Sequence, residues 1–265
     1  MKVTRVPRRI EAPTVKELAK GNAIAKVCSV LSALTAQSPL RLNEISEATG
    51  LNRVTALRIL EELAETGYIT RCGSPPRYDF GPEVVAMSAA ASRSFSIRDA
   101  ARPSLLKLAD LTGDTILLSV RSGAESIVVD RVVGDYPIRA NFLDIGSRRA
   151  LGIGGGSMAL LAWLPQPERE AILEITVGRL GSFPQISRAV LDDHIATAIA
   201  RGYVAMYDIV VQKMGAIGFP LRDAQGQVVA AISIVALSER IADREAMLIE
   251  ALIQEARAIS RQLGH

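Results

Sequence analysis

The feature that most constrains the fold of this chain is a short turn between two helical segments, at residues 49–52. Asn43 and Asn52 are residue types that cap helix N-termini, and Gly50 supplies the left-handed conformation that ends a helix. Two short helices joined by a tight turn that contains glycine predict a helix-turn-helix. In that motif the second helix enters the DNA major groove by its N-terminal end.

The neighbouring segments predict that this motif is winged. Apolar residues at helical spacing indicate a preceding helix over residues 22–35, and the helix capped by Asn52 extends to about Thr66. Its buried stripe is expected to consist of Val54, Leu57, Leu60 and Leu63.

Two short strands are expected next, at residues 68–71 and 77–80, around the turn chemistry of residues 72–76. Three helices followed by a hairpin predict a winged helix-turn-helix DNA-binding domain over residues 21–82.

The charge of the chain is distributed unevenly between its two parts. Residues 1–80 hold twelve Lys and Arg against eight Asp and Glu, a net charge of +4, whereas residues 81–265 hold nineteen against twenty. The positive excess therefore lies in the part that contains the predicted helix-turn-helix, as expected for a small domain that approaches a polyanion.

Seven residues of this domain are candidate DNA contacts because of their position and chemistry. Arginine can donate two hydrogen bonds to guanine, and threonine can meet a phosphate or a thymine methyl group. Other roles remain open: a helix cap for Asn52, an ion pair with Glu61 or Glu62 for Arg58, and plain hairpin charge for Arg71 and Arg77. The candidates are Asn52, Arg53, Thr55, Arg58, Arg71, Arg77 and Tyr78.

Two segments flank the domain. Residues 1–20 form a basic tail, interrupted by Pro7 and Pro13, that is either a solvated terminus or an arm that touches DNA. Residues 83–100 are rich in Ala and Ser and predict a connecting helix.

Residues 101–265 predict a second, larger domain. Strands are expected at residues 115–120, 126–133, 204–207, 215–221 and 228–235, and helices at residues 105–111, 158–164, 192–201 and 244–263. Hairpins combined with helices indicate an α+β fold with an antiparallel sheet.

Several classes of protein are disfavoured by composition. The two cysteines, Cys28 and Cys72, have no metal-ligand or disulfide-framework spacing. The two histidines, His194 and His265, stand in no nucleophilic motif, and we expect the run 192–194 to be a solvated helix face rather than a metal cluster. Without a signal peptide or a long apolar run, we expect a soluble cytoplasmic protein that is not an enzyme and holds no cofactor or metal.

Five segments, in order, carry a resemblance to a known family. They are residues 50–63 with 67–69, residues 77–81, residues 146–149 with 159–162 and 164–165, residues 201–203 with Asp208 and 220–234, and residues 259–264. These segments resemble the isocitrate-lyase-regulator (IclR) family of bacterial transcription regulators. The resemblance covers nearly the whole chain after the tail, and its strongest part is the predicted recognition helix.

The resemblance implies a GAF-like α/β effector domain after the winged helix-turn-helix. It also implies a dimer or tetramer whose binding to double-stranded operator DNA responds to a small organic acid. An enzyme that acts on a small carboxylate, with an accessory DNA-binding domain, is the alternative.

The loop that holds the effector in this family matches residues 154–157, which precede an apolar helix and offer backbone amides to an anion. A flexible turn is the other interpretation. The segment lacks the ending of a phosphate-binding P-loop. Two departures lie here, since Ala150-Leu151 and Ser157-Met158 stand where the family commonly has proline-leucine and glycine-lysine pairs. The ligand residues implied by the resemblance are Gly154, Gly155, Gly156, Ser157, Asp208, Met214, Ala216 and Ser233.

Overall fold

A computed structural model describes residues 15–92, 96–138, 143–183 and 185–263. These residues form two compact units, divided between the segments that end at residue 92 and begin at residue 96. Most of the predicted tail, residues 1–14, lies outside the described residues, as do Gly264 and His265.

The first unit contains five helices and a two-stranded antiparallel sheet among its described residues. Its helices are α1 (Val15–Ala19), α2 (Ala23–Ala36), α3 (Leu42–Thr49), α4 (Arg53–Glu65) and α5 (Pro82–Ser92), and its strands are β1 (Ile69–Cys72) and β2 (Arg77–Phe80). The first four helices and the hairpin share one apolar core.

The turn between α3 and α4 has the predicted geometry. Gly50 ends α3 in the left-handed conformation with φ 76°, and the side chain of Asn52 accepts a hydrogen bond from the amide of Thr55 at 2.9 Å. The predicted cap of α3 was wrong, because the backbone amide of Arg41, and not Asn43, binds Glu44 in a capping box.

The predicted stripe of α4 was wrong for Val54 and Leu57, whereas Leu60 and Leu63 are buried as predicted. The buried residues are Ala56, Ile59, Leu60 and Leu63, whereas Val54 is 80% exposed. An α-helix turns about 100° per residue, so four residues spaced by three spread over about 180° and cannot share one face.

Two boundaries differ from the predicted ones. Residues 15–19, predicted as part of the tail, form α1, which is held by the burial of Ala19 in the core. The predicted connecting helix comprises α5 and the start of a second helix, α6 (Ser96–Thr112), which continues through Pro103.

The second unit is built on a six-stranded antiparallel sheet, in the order β5-β4-β3-β8-β7-β6. The strands are β3 (Thr115–Ser122), β4 (Glu125–Val133), β5 (Arg148–Ala150), β6 (Val204–Tyr207), β7 (Met214–Arg222) and β8 (Val228–Leu237). The helices after α6 are α7 (Gly155–Ala162), α8 (Gln166–Val177), α9 (Arg188–Arg201), α10 (Ser238–Ala242) and α11 (Glu245–Gln262).

Helices cover both faces of this sheet. On one face α6, α10 and α11 pack against Ile116, Leu118 and Ile232, and on the other α7, α8 and α9 form a separate core. The alternation of β3 explains this division, because Ile116 and Leu118 point to one face and Leu117 and Ser119 to the other.

A β-bulge changes which residues of β4 point to each face. Leu118 pairs with Asp130, whereas the next residue, Ser119, pairs with Val128. Asp130 therefore points to the face that α6 covers, where Nη1 of Arg102 donates to its carboxylate at 2.8 Å. Val128 points to the opposite face, where it lines a cavity beside the start of α7.

Candidate functional site

A cavity of about 50 Å³ lies in the second unit between the sheet and the start of α7. Strands β3, β4, β7 and β8 form its floor, and the loop between β6 and β7 closes one side through Ile209, Val210 and Val211. Leu117, Val128, Ala216 and Val235 form a small apolar cluster on this floor. The cavity is small, and its lining contains both polar and apolar residues.

The first turn of α7 lies directly on the sheet. Gly154 has φ 99°, a conformation that favours glycine, and its carbonyl accepts the first helical hydrogen bond from Met158 at 2.8 Å. A Cβ added to Gly155 would lie 2.8 Å from Cβ of Ala216. The glycine run therefore allows the helix to begin in contact with β7, with its first amides beside the cavity.

Seven of the eight residues implied as ligand contacts line this one cavity. They come from three separate segments of the chain, the start of α7 and the strands β7 and β8. The seven are Gly154, Gly155, Gly156, Ser157, Met214, Ala216 and Ser233.

Asp208 is not among the residues that line the cavity. Its carboxylate accepts hydrogen bonds from the amide of Lys213 at 2.6 Å and from the hydroxyl of Ser238 at 3.0 Å. Asp208 also has a positive φ of 60°, so it shapes the β6–β7 turn. We therefore leave Asp208 out of the candidate site.

Sequence reasoning missed the polar residues that β3, β4 and β5 bring to the cavity. Ser126 and Arg149 are paired across β4 and β5, so both side chains point to the cavity face. Burial lowers the pKa of Arg149, because the charged guanidinium is partly removed from water. These residues can be assigned to the cavity only once the register between β4 and β5 is known.

Two serine hydroxyls lie beneath the first turn of α7. Ser119 and Ser233 are 5% and 2% exposed and belong to the neighbouring strands β3 and β8. A Cβ added to Gly156 would lie 3.1 Å from Oγ of Ser233 and 3.5 Å from Oγ of Ser119. In contrast, the hydroxyl of Ser157 donates to the carbonyl of Ala150 at 2.9 Å.

The candidate DNA contacts of the first unit lie mainly at the start of α4. Arg53 and Arg58 are exposed there, and Thr55 is half-buried. No ion pair joins Arg58 to Glu61 or Glu62 within the part of the chain that the structure describes, and Asn52 serves as the helix cap.

The hairpin contributes less than predicted. Tyr78 is 4% exposed and lies in the core, so its predicted DNA contact is corrected to a packing role. Arg77 donates from Nη1 to the carbonyl of Pro39 at 3.0 Å, which holds β2 to the residues before α3. Arg71 remains exposed on β1.

The run at residues 192–194 has no arrangement that suggests a metal or catalytic site. Asp192 accepts from Nε of Arg188 at 2.9 Å on the surface of α9. His194 is half-buried, and this burial lowers its pKa. Among the residues that the structure describes, no group of three His, Cys, Asp or Glu could hold a metal ion. No helix in these ranges is long and apolar enough to cross a membrane.

Comparisons with known proteins identify a single family for both units. The IclR helix-turn-helix domain matches residues 23–72, and the C-terminal domain of the bacterial transcriptional regulator IclR matches residues 89–261. Together the two matches cover most of the chain.

Curated relatives match over nearly their whole length. The transcriptional regulator KipR of Bacillus subtilis is 27% identical over 248 residues, which are 93% of this chain and 98% of KipR. The transcriptional regulator Rv1719 of Mycobacterium tuberculosis is 32% identical over 234 residues, 87% of this chain and 88% of the relative.

Solved structures share the fold. An IclR transcriptional regulator from Alicyclobacillus acidocaldarius superposes with a TM-score of 0.79 at 20% identity, over 91% of this chain and 98% of its own. An IclR homologue from Microbacterium hydrocarbonoxydans, complexed with 4-hydroxybenzoate, has a TM-score of 0.78 at 22% identity, over 91% and 99%. These likenesses place the two units in a known architecture.

Proposed function

Because this chain belongs to the IclR family of transcription regulators, we propose that a small organic acid, bound in its second unit, changes its affinity for operator DNA. The chain is a transcription regulator and not an enzyme, since both matching domains and its curated relatives are regulators. The parts that we propose are the organic acid as effector, the binding to operator DNA and the assembly into a homo-oligomer.

The observation that carries the proposal is the arrangement of polar groups around the cavity. The first amides of α7 have no carbonyl partner within the helix, and the helix dipole makes this end positive. The hydroxyls of Ser119 and Ser233 lie directly below it. Such a site favours a small anion with a further oxygen, and the 4-hydroxybenzoate complex of the Microbacterium homologue agrees with an acid ligand.

The proposed DNA contacts are the exposed groups at the start of α4, together with the hairpin. Arg53 and Arg58 would meet base edges or phosphates, Thr55 a phosphate, and Arg71 the backbone beside the groove. Asn52 would act by capping the helix that presents them.

Helix α5 supports the proposed homo-oligomer. Val85 and Met87 are exposed along it, together with most of its alanines. A helix that is apolar around its circumference is expected to be buried, and a second copy of this chain is a partner that could cover it.

The proposed mechanism is linkage between the ligand and the spacing of two DNA-binding units. Two half-sites must be matched at about 34 Å per helical turn of DNA, so a small change in spacing changes affinity. The acid shifts this equilibrium only by the difference between its affinities for the two states.

The test is fluorescence anisotropy of the full chain on DNA from its own upstream intergenic region, against scrambled DNA, across a salt series and with added acids. We expect specific binding at least about a thousandfold tighter than on scrambled DNA, shifted by an acid. Equal, salt-sensitive binding to both DNAs would show phosphate contact alone.

A second test addresses the oligomer. Sedimentation should give a dimer or tetramer, and Val85→Asp together with Met87→Asp should dissociate it. A monomeric wild-type protein would contradict the mechanism.

A further inference from the structure

The effector cavity has one charged side chain among its described lining residues, that of Arg149. Arg149 pairs with Ser126 across β5 and β4, which directs it to the cavity face of the sheet. A Cβ added to Gly154, the residue before α7, would lie 3.5 Å from Nη1 of Arg149. The guanidinium therefore lies beside the start of α7, at the same end of the cavity as the helix amides.

This arrangement places two positive groups together at one end of the cavity. The N-terminus of α7 carries the positive end of the helix dipole, which disfavours a nearby cation. Burial also lowers the pKa of Arg149, in the direction expected for a partly desolvated charge. An anion bound at this end of the cavity would be stabilised by both groups.

The two serines extend the polar end of the cavity. Ser119 and Ser233 are more than nine-tenths buried, and both line the cavity with their hydroxyls beneath Gly156. A ligand oxygen placed beneath Gly156 could therefore exchange hydrogen bonds with these hydroxyls. Apolar side chains of the cavity include Leu117, Val128, Val235 and Met214.

We infer that Arg149 is the specificity-determining charge partner of the effector carboxylate, and that the ligand is a short hydroxy acid whose hydroxyl meets Ser119 and Ser233. This inference rests on the proposed function. The cavity of about 50 Å³ is small, which favours a short aliphatic tail over a ring.

The chain offers a matched control in the preceding residue. Arg148 occupies the same strand and carries the same charge, but its Nη1 donates to the carboxylate of Glu125 at 2.9 Å, and it does not line the cavity. Arg148→Met and Arg149→Met therefore remove equal charge from β5, and only the second removes it from the ligand site. Arg149→Lys tests whether a charge alone is sufficient.

The experiment is calorimetric titration of the full-length protein and the three variants with 2-hydroxybutyrate, butyrate, 2-hydroxybutanamide and 4-hydroxybenzoate. We expect 2-hydroxybutyrate to bind the wild type and Arg148→Met equally. Arg149→Met should bind 2-hydroxybutyrate roughly 10- to 100-fold more weakly than the wild type does. The wild type should bind the uncharged amide, 2-hydroxybutanamide, more weakly than the acid by a similar factor. Melting temperatures near that of the wild type establish that the variants fold.

The outcomes separate this inference from the proposed function. Suppose that an acid binds the wild type. If it also binds Arg149→Met equally well, or if the amide binds the wild type as tightly as the acid, the inferred role of Arg149 is wrong, whereas the proposal of an acid effector still stands. If the wild type binds 4-hydroxybenzoate more tightly than 2-hydroxybutyrate, the inference that the ligand is short is wrong. If none of the acids binds the wild type, the proposed effector class fails, and the role of Arg149 fails with it.

A separate observation in the first unit carries a second inference. Val54 is the second residue of α4 and is 80% exposed, between the exposed residues Arg53 and Arg58. The apolar core of the unit does not use it, because α4 packs through Ala56, Ile59, Leu60 and Leu63. An apolar side chain among cations at the start of a recognition helix matches the C5-methyl group of thymine in the major groove.

We propose that Val54 reads one thymine methyl group in each half-site. This also rests on the proposed function, and its test replaces each thymine of the operator in turn by uracil, which removes only the methyl group. One position should weaken wild-type binding about 3- to 10-fold, and Val54→Ser should be insensitive to that same replacement.

Ile24→Ser is the control, because Ile24 is 74% exposed on α2 of the same unit. It should retain the wild-type response to uracil. If the uracil replacement weakens the binding of Val54→Ser as much as that of the wild type, or if no thymine position responds, Val54 does not contact a thymine methyl group. The proposal of operator binding would still stand in either case. Absence of specific DNA binding would contradict the proposed function itself.

Discussion

The backbones of Gly155 and Gly218 are in direct contact: a Cβ built on Gly218 would lie 2.2 Å from the carbonyl oxygen of Gly155. Gly218 is on β7 and Gly155 opens α7, so this contact sets the height of the helix above the sheet. The same contact sets the depth of the cavity, which opens beside it.

Gly218→Ala is expected to destabilise the second unit. The added methyl group meets backbone that cannot rotate away, and such overpacking costs about 1–3 kcal/mol or more. Urea unfolding measures the change. Gly181→Ala is the control, because nothing lies within 4 Å of its added Cβ, and it should change stability by less than about 0.5 kcal/mol. Equal effects of the two substitutions would argue against a tight contact.

Asp114 is expected to be a strong contributor to stability. Its buried carboxylate accepts from Nε of Arg240 at 2.7 Å and from Nη2 of Arg244 at 2.5 Å, which ties the start of β3 to α10 and the residue before α11. Asp114→Asn leaves two cations without their buried counter-charge and should cost about 3–5 kcal/mol in the same unfolding measurement.

The matched control for Asp114 is Asp192→Asn. Asp192 also binds an arginine, Arg188, but this pair is largely exposed on α9. Exposed pairs contribute up to about 1 kcal/mol, so the variant should unfold close to the wild type. A loss as large as that of Asp114→Asn would show that burial does not decide the difference.

Stability should fall on mild acidification, in part because of His194. Burial holds the pKa of His194 below its ordinary value of 6.5, with a partial opposing effect of Asp193. The unfolded chain therefore binds the proton more readily than the folded one, and stability decreases as the pH falls through about 6.5 toward the lowered folded value. His194→Gln should reduce this decrease, followed as melting temperature from about pH 7.5 to about pH 5.5.

The interpretation fails if the wild type and His194→Gln show the same pH dependence over that interval. His265 is present in both proteins, so it cancels in the comparison.

Asn52 and Arg53 are neighbours with separable roles. Asn52→Ala removes the cap of α4 and should cost about 1 kcal/mol of stability. Arg53→Ala should leave stability unchanged and weaken operator binding by about 1–3 kcal/mol. Thermal melting and fluorescence anisotropy measure the two effects, with Lys16→Ala on α1 as the charge control. A stability loss in Arg53→Ala without weaker binding would reverse these assignments.

Much of the first unit could be predicted because its signals are local. Asn52 caps α4 and Gly50 ends α3 through hydrogen bonds and dihedral angles that involve only nearby residues. The exposure of Val54 could also have been derived, since a spacing of three drifts around a helix. The burial of Tyr78 depended instead on how the hairpin packs against the three helices.

The polar half of the cavity illustrates what local signals cannot supply. Arg149 reaches the cavity because β5 pairs with β4 in one particular register, and a shift of one residue would place Arg148 there instead. Ser119 and Val128 share a face only because a bulge interrupts the alternation of β4. Asp208 lies in a segment that the resemblance assigns to the ligand site, but its carboxylate accepts a hydrogen bond from the amide of Lys213 within its own turn.

The sequence by itself determined the two-part organisation, the helix-turn-helix, most strands and the glycine-rich start of α7, because caps, turns and periodicity act between residues close in the chain. Only the tertiary structure decided which side chains meet in the cavity and which are buried. Those outcomes depend on strand register, on a bulge and on packing between residues far apart in the chain, such as Asp114 and Arg240, which are 126 positions apart.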